Sequence, residues 1–362
     1  MNEPREHDGL MGENCAGGMT LPYYTADLPG VGGELKQAPQ DFEVEEIPAY
    51  EPRGSGEHLF LWIEKIDLSA EQLTEHVARA LDISATEIGV AGLKDRRAVT
   101  RQFVSVPANR EDRIDRIESD QVRVLRADRH TNKLRTGHLR GNRFVVRLRG
   151  VDPDAAAKAE QVAERLLASG FPNYFGEQRF GRDAGNVRLG FELLRGEKKP
   201  SRIPYTRRRF LLRLSLSSVQ SALFNDALAT RVNEHSVQTV QRGDVMQVVA
   251  SGGLFVAEDT AAEQRRLDAG ETTITGPLFG PKMKSPEYDV GAREEEILSR
   301  WGLAEADFER FANLTTGSRR PYLARIDSLQ VVPEGAGTLR FEFTLPPGVY
   351  ATVLLREFQK RN

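Results

Sequence analysis

The sequence is poor in cysteine and has no long apolar segment. Its one cysteine, Cys15, excludes a disulfide framework and a cysteine-rich zinc site. No apolar run is long enough to span a bilayer, and the first residues lack the basic start and apolar core of a signal peptide. With 39% hydrophobic and 28% charged residues among 362, the composition predicts a soluble, globular, cytoplasmic protein with no membrane partner.

Motifs that bind common cofactors are also missing. There is no GxxxxGK followed by Ser or Thr, no GxGxxG between a strand and a helix, no GxSxG and no HExxH. The CxxC pair of a zinc deaminase cannot be formed from one cysteine. The six histidines are scattered along the chain. If this protein is an enzyme, we therefore expect it to use only its own side chains, with no metal and no small-molecule cofactor.

Basic residues are concentrated in two segments, although the net charge is only −3. Arg123 to Arg149 contains nine Lys or Arg and one acid, Asp128. Lys198 to Arg213 contains seven Lys or Arg and no acid. Each cluster could neutralise nucleic-acid phosphates, or could be a solvated face balanced by acids elsewhere. Charge alone leaves both interpretations open.

Hydrophobic periodicity predicts strands towards both ends of the chain and helices between them. Ser69 and Gln72 form a predicted capping box at the start of a helix on which Leu73, Val77 and Leu81 recur every fourth residue. The other predicted elements are strands at 58–65, 102–106 and 143–148, helices at 155–167 and 218–235, a loop at 276–286, a turn at 334–337, and strand-like segments from 324 onward that include 338–345 and 350–358.

The segment AGLKDRRAVT, residues 91–100, resembles the signature loop AGxKDxxAVT of the TruD family of pseudouridine synthases. Other segments resemble motifs of the same family in the same order: LKQAPQDFEVEE at 35–46, RGNRF at 140–144, PNYFGEQRFG at 172–181 and LPPGVYATVLLREF at 345–358. The resemblance extends over nearly everything from about residue 21 onward. Each motif is short, but five in order are specific.

This resemblance implies roles for individual residues. The Asp of the signature loop is the family's catalytic residue, which here is Asp95. The substrate-binding residues implied are Phe42, Asn142 and Tyr350, and the weaker candidates are Lys36, Phe144 and Arg356. The family usually has Phe where this chain has Tyr350, so an aromatic ring is kept and the role of the new hydroxyl is open.

Taken without the resemblance, the same residues have ordinary structural explanations. An Asp in a Gly-started loop could be a turn residue, and so could Asn142 after a glycine. Phe42 and Phe144 lie in alternating segments where core packing is frequent. Lys36 would ordinarily be at the surface. Arg356 could pair with Asp95 or with its neighbour Glu357.

The implied reaction agrees with the missing cofactor motifs. Pseudouridylation detaches uracil from its ribose, rotates it and rejoins it through carbon, so substrate and product are isomers and need no redox partner. A carboxylate could add to the uracil or act on the sugar to give a glycal, and the sequence leaves both routes open. By resemblance to bacterial members, the target is uridine 13 in the D arm of tRNA.

Two other functions compete with this one. The first is a non-catalytic RNA-binding module, which the presence of Asp95 argues against. The second is a different RNA-modifying enzyme such as a methyltransferase, which the missing Gly-rich nucleotide loop argues against. The sequence leaves open the oligomeric state and the set of tRNAs used.

The fold class expected is α+β. A mostly antiparallel pseudouridine-synthase sheet with helices would be formed by residues 21–167 and 325–362, and an inserted α/β TRUD domain by residues 168–324. Residues 1–20 are predicted to be a disordered tail. Because both basic clusters flank the start of the insertion, RNA is expected to bind between the two domains.

Overall fold

A computed structural model describes residues Thr20–Lys360. Cys15 and almost all of the predicted tail lie outside the described residues. Strands β1 to β15 are Gly32–Glu34, Phe42–Pro48, His58–Ile66, Gly89–Val90, Val99–Pro107, Val122–His130, Leu139–Val151, Phe171–Pro172, Val245–Val248, Leu254–Val256, Thr272–Leu278, Ser318–Pro321, Leu323–Ala324, Leu329–Pro333 and Thr338–Leu345. Helices α1 to α8 are Ala70–Leu81, Ala155–Ser169, Gly185–Leu194, Tyr205–Asn233, Thr260–Asp268, Tyr288–Arg300, Glu305–Glu309 and Ala351–Gln359.

The chain divides into two compact units. The sheet unit contains Asp27–Gly170, Arg325–Ala351 and residues 355–360, and the inserted unit contains Phe171–Ala324 together with residues 20–26 and 352–354. None of the helices in the described part of the chain is long and apolar enough to cross a membrane.

A nine-stranded sheet organises the sheet unit. Its strand order is β14-β15-β7-β2-β5-β3-β6, with β1 paired to β7 and β4 paired to β5. Every pairing in this sheet is antiparallel except that of β2 with β5. The α+β class and the mostly antiparallel sheet predicted from the sequence are therefore confirmed.

The parallel pairing of β2 with β5 positions the candidate site. Glu43 lies opposite Val99, so both strands begin at the same edge of the sheet. In consequence, the segment that leads into β2 and the loop that leads into β5 are brought together, although they are far apart in sequence. The capping box of Ser69 and Gln72 forms as predicted and starts α1, whose buried face packs on apolar residues of β3 and β5.

The inserted unit combines helices with a four-stranded antiparallel sheet in the order β10-β9-β11-β12. Its longest helix, α4, packs on α3 so closely that a Cβ added at Gly190 of α3 would collide with the carbonyl oxygen of Ser215 of α4. Asn225 of α4 accepts a hydrogen bond from the N–H of Phe175 at 2.8 Å and donates to its carbonyl at 2.9 Å. The aromatic segment after β8 is thereby fixed to the middle of α4.

Three sequence predictions need correction. Residues 350–358 are not a strand but lie largely in α8, and the buried Ala351, Leu354, Leu355 and Phe358 follow helical spacing. Helix α4 begins at Tyr205 rather than at 218. The sequence pattern missed its first turns because they are exposed and show no apolar periodicity. Residues 276–278 belong to β11, where Gly276 pairs with Arg320, so only the remainder of the predicted loop is outside strands.

Candidate active site and nucleic-acid surface

The loop between β4 and β5, residues 91–98, carries Asp95 and is called here the Asp95 loop. Lys36 Nζ donates to Asp95 Oδ2 at 2.8 Å. Asp95 Oδ1 accepts no hydrogen bond from any residue between Thr20 and Lys360, and the side chain is partly exposed. One carboxylate oxygen is therefore held in place and the other remains available to react.

Lys36 itself has an unusual backbone. Its φ is 57°, in the left-handed region that side chains other than glycine adopt at a cost of about 1–3 kcal/mol. The residue precedes β2, and its Nζ also lies 4.0 Å from the centroid of the Phe42 ring. This strained conformation directs the ammonium to Asp95 and places it over an aromatic ring, a favourable position for a cation.

Phe42 is 1% exposed, so it is a core residue in this structure. The Phe42 ring supports Lys36 and forms a T-shaped pair with the ring of Phe144, at 6.1 Å between ring centroids. Phe144 in turn stacks on Phe343 of β15 at 5.2 Å. The two predicted phenylalanines therefore pack together on one side of Lys36. The Phe42 ring is not exposed as a surface on which a nucleotide could stack.

Buried contacts also fix the Asp95 loop from below. Lys94 Nζ donates to Glu46 Oε2 at 2.7 Å, and both side chains are almost completely buried. Lys65 of β3 donates to the carbonyl oxygen of Asp95 at 2.9 Å. Arg97 adds an exposed contact, since it donates to the carbonyl oxygen of Gln37 at 2.9 Å. A loop held by three neighbouring segments is preorganised, which is what precise positioning of a reacting group requires.

Leu93 is the exception within this loop. It is 82% exposed, although it lies next to the buried Lys94. A single exposed leucine is ordinary at a protein surface, and apolar side chains of this kind can insert beside nucleic-acid bases. The loop thus presents a leucine and a carboxylate to solvent, two residues apart.

Asn142 lies in β7 opposite Glu46, the partner of Lys94. Its Oδ1 is buried, and no donor among the described residues reaches it. A buried acceptor without a donor is costly, and such atoms are often completed by a ligand or water. Asn142 therefore offers a hydrogen-bond acceptor beside the anchoring pair of the Asp95 loop.

The remaining candidates are placed by their elements. Tyr350 is half-buried and directly precedes α8, five residues after Leu345, which pairs with Asn142. Arg356 Nη1, on α8, lies 3.7 Å from Oε1 of the neighbouring Glu357. Within Thr20–Lys360 the side chain that pairs with Asp95 is that of Lys36, so the option of an Arg356–Asp95 pair is not realised.

Sequence reasoning missed Lys65, Lys94 and Glu46. Their residue types carry no local signal, because a Lys or Glu in a strand or loop ordinarily faces solvent. Lys94 stands inside the signature segment, which is the one signal that could have singled it out. In the part of the chain that the structure describes, no three His, Cys, Asp or Glu side chains are grouped so that they could hold a metal ion.

The first basic cluster is largely neutralised by acids. Five of its nine basic residues form ion pairs within the sheet unit. The pairs are Arg126 with Glu51 and Asp128, Arg129 with Glu111, Arg143 with Glu342, Arg147 with Glu43 and Glu334, and Arg149 with Asp41. For these five residues the structure supports the interpretation as a balanced face.

The second cluster differs, because all of its arginines except Arg202 lie on the exposed first turns of α4. Arg207, Arg209 and Arg213 have no acidic partner within 4.0 Å among the described residues. Tyr205 and Phe210, on the same turns, are 85% and 58% exposed. At 100° per residue Tyr205, Arg209, Phe210 and Arg213 fall within an arc of about 140°, and Arg207 widens it to about 200°; these five side chains together are called here the α4 basic face. Arg208 donates to the carbonyl oxygens of Ile203 and Ser201, and its guanidinium lies 5.6 Å from the centroid of the Tyr205 ring.

Comparison with known proteins agrees with this site. The chain matches the family model described as tRNA pseudouridine synthase D (TruD) over residues 18–202 and 206–358. It is similar to tRNA pseudouridine synthase D of Anaeromyxobacter dehalogenans, with 44% identity over 94% of this chain and 97% of the relative. The protein of the same name from Thermus thermophilus is 44% identical over 94% of this chain and 92% of the relative.

Comparison with a solved structure indicates the same family. The crystal structure described as the putative tRNA pseudouridine synthase D (TruD) from Methanosarcina mazei superposes with a TM-score of 0.75 at 25% sequence identity. The superposition covers 94% of this chain and 96% of that chain. A likeness over almost the whole length includes both the sheet unit and the inserted unit.

Proposed function

Since this chain belongs to the TruD family of tRNA pseudouridine synthases, we propose that it isomerises a uridine of tRNA to pseudouridine and that Asp95 is the catalytic carboxylate. The observation that carries the proposal is the geometry at Asp95. One of its oxygens is held by Lys36, the other accepts no bond from a described residue, and buried contacts fix the loop. Such an arrangement suits a group that must attack a substrate in a defined direction.

In the reaction, the bond between N1 of uracil and C1′ of ribose breaks, and a bond between C5 and C1′ forms. The hydrogen on C5 is lost and N1 gains one, so the overall composition is unchanged. Asp95 Oδ1 acts either as a nucleophile that adds to the uracil ring or, in the glycal route, as the base that removes the hydrogen from C2′ of the ribose while the N1–C1′ bond breaks and returns it when the C5–C1′ bond forms. Lys36 compensates the charge of the carboxylate in the ion pair and holds its orientation.

Recognition of the base is assigned to Asn142 and Tyr350. The buried Oδ1 of Asn142 lacks a donor among the described residues, and the N3–H of uracil is a donor that would complete it. Tyr350 supplies an aromatic ring for stacking on the base after it has left its own stack. Phe42 and Phe144 act indirectly, because their rings support Lys36 from below.

The α4 basic face is assigned to tRNA binding outside the reacting nucleotide. Its unpaired arginines suit phosphates, and its two exposed aromatic rings suit unstacked bases. By family resemblance the target is uridine 13 of the D arm. A protein with this substrate is expected to work in the cytoplasm, where mature tRNA is used.

The test is incubation of the purified protein with unmodified tRNA and no additive, followed by mapping of pseudouridine along the RNA. Pseudouridine at position 13 is the expected result, and a transcript with cytidine at position 13 should gain none. Binding without any modification would indicate a non-catalytic RNA-binding module. Activity that appears only with an added nucleotide cofactor would indicate a different RNA-modifying enzyme.

A further inference from the structure

Lys65 is a fully buried lysine directly beneath the Asp95 loop. Its Nζ donates to the carbonyl oxygen of Leu68 at 2.6 Å and to that of Asp95 at 2.9 Å. Strand β3 lies between β5 and β6, where Lys65 is opposite Thr100 and Val122. Lysine is almost never fully buried unless its charge is used, so this position requires an explanation.

Burial has a measurable electrostatic consequence for this residue. Removal from water lowers the pKa of Lys65 to about 8, since the charged form loses solvation. The negative charges of Asp95 and Asp67 oppose this shift, and the positive charge of Lys94 adds to it. Thr100 and Val122, which face Lys65 from the two neighbouring strands, carry no charge. The ammonium is therefore present at pH 7 and is lost above about pH 8.

A simple packing role does not account for these contacts. A methionine would fill a similar volume without the cost of burying a charge. What lysine adds is a pair of charge-assisted hydrogen bonds to two main-chain carbonyls, one of which belongs to Asp95 itself. Asp95 is thus held at both ends, by Lys36 at its carboxylate and by Lys65 at its main chain.

We propose that Lys65 is a positioning residue for the reaction, because its buried ammonium fixes the main chain of Asp95 and so aims the carboxylate at the substrate. This inference rests on the proposed function, in which Asp95 reacts. Lys65 is buried and does not meet the tRNA. Its replacement should therefore reduce the rate of the chemical step and leave tRNA affinity unchanged.

The experiment compares wild type, Lys65→Met and Lys65→Arg in single-turnover reactions at saturating tRNA, from about pH 6.5 to about pH 9.5. At pH 7 the rate for Lys65→Met should fall about a hundredfold, as expected when a reacting group is misplaced by about 1 Å. Its tRNA Kd should stay within about threefold of wild type. The wild-type rate should fall above about pH 8, and this fall should disappear in Lys65→Met and move to higher pH in Lys65→Arg.

Lys360→Met is the matched control. Lys360 also donates to a main-chain carbonyl, that of Leu28, and burial also lowers its pKa. This substitution should change the melting temperature at most and leave the rate and its pH dependence intact. All variants receive the same tRNA, so an ionisation of the substrate would appear in every profile.

The proposal is overturned if Lys65→Met keeps its rate within about threefold of wild type. It is equally overturned if a fall near pH 8 persists unchanged in either variant. Should Lys65→Met fail to fold, the pH profile of Lys65→Arg decides, and the proposal is overturned if the fall near pH 8 persists unchanged in that variant. An inactive wild type would instead refute the proposed function, whereas an active wild type with a fully active Lys65→Met would refute this inference alone.

Discussion

The Asp95 loop and the α4 basic face use charge in opposite ways. In the loop, Lys36 is paired with Asp95 and Lys94 with Glu46, and the ammonium of Lys65 meets two carbonyl oxygens. On the α4 basic face, the three arginines are exposed and have no acidic partner among the described residues. Compensated charges are fixed and can position a reacting group, whereas uncompensated charges are free to meet phosphates.

The largest effect is expected at the reacting group of the compensated region. Asp95→Asn keeps the size of the side chain but removes its nucleophilic charge, so the single-turnover rate should fall at least about 10³-fold. The tRNA Kd should stay within about threefold, because binding is assigned elsewhere. Asp128→Asn, on β6, is the control and should be fully active. A rate for Asp95→Asn near that of wild type would refute the catalytic assignment.

Breaking the buried pair beneath the loop should affect stability. Lys94→Met leaves Glu46 as an uncompensated buried charge, which typically costs about 3–5 kcal/mol. Urea unfolding measures this change, and adding Glu46→Gln to Lys94→Met should restore part of the stability. A destabilisation below about 1 kcal/mol would show that the pair contributes little to the stability of the sheet unit.

Neutralising the α4 basic face should affect binding alone. We expect Arg207, Arg209 and Arg213 changed together to Gln to weaken tRNA binding at least about tenfold. The slope of log affinity against log salt should decrease by about 0.7–0.9 for each phosphate that is no longer neutralised, with the rate at saturating tRNA unchanged.

The matched control for this surface is the triple change of Arg126, Arg129 and Arg143 to Gln. Each of these arginines is already paired with an acid in the sheet unit, so tRNA affinity and its salt slope should change little. Equal effects of the two triple changes would show that ion pairing in the free protein does not decide which arginines bind RNA.

The smallest effect is expected at an uncharged residue of the sheet unit. Tyr350→Phe should keep nearly full single-turnover activity, because its ring rather than its hydroxyl is assigned to the base. Tyr350→Ala should lose most activity without unfolding. A fall of about a hundredfold in Tyr350→Phe would show that this chain uses the phenol as a general acid or base.

Much of the fold could be predicted from local pattern. Three local features are present as predicted. They are the capping box of α1 with its apolar residue at every fourth position, the alternation of buried and more exposed residues in β7, and the turn between β14 and β15. Prediction fails where local pattern is ambiguous. The consecutive Val353, Leu354 and Leu355 are typical of a strand, but they lie in α8, where Ala351, Leu354, Leu355 and Phe358 are buried at helical spacing and Val353 is buried as well.

What the sequence by itself determined was the family resemblance, the signature segment that contains Asp95 and the presence of two basic clusters. Tertiary structure alone decided how those charges are used. Parallel pairing of β2 with β5 brings Lys36 to Asp95 across 59 positions of sequence, and the burial of Lys65 beneath the loop depends on strands from three segments. Residue type specifies a charge, but its partner and its solvation depend on long-range pairing, and these determine whether the charge positions a reacting group or stays open for a ligand.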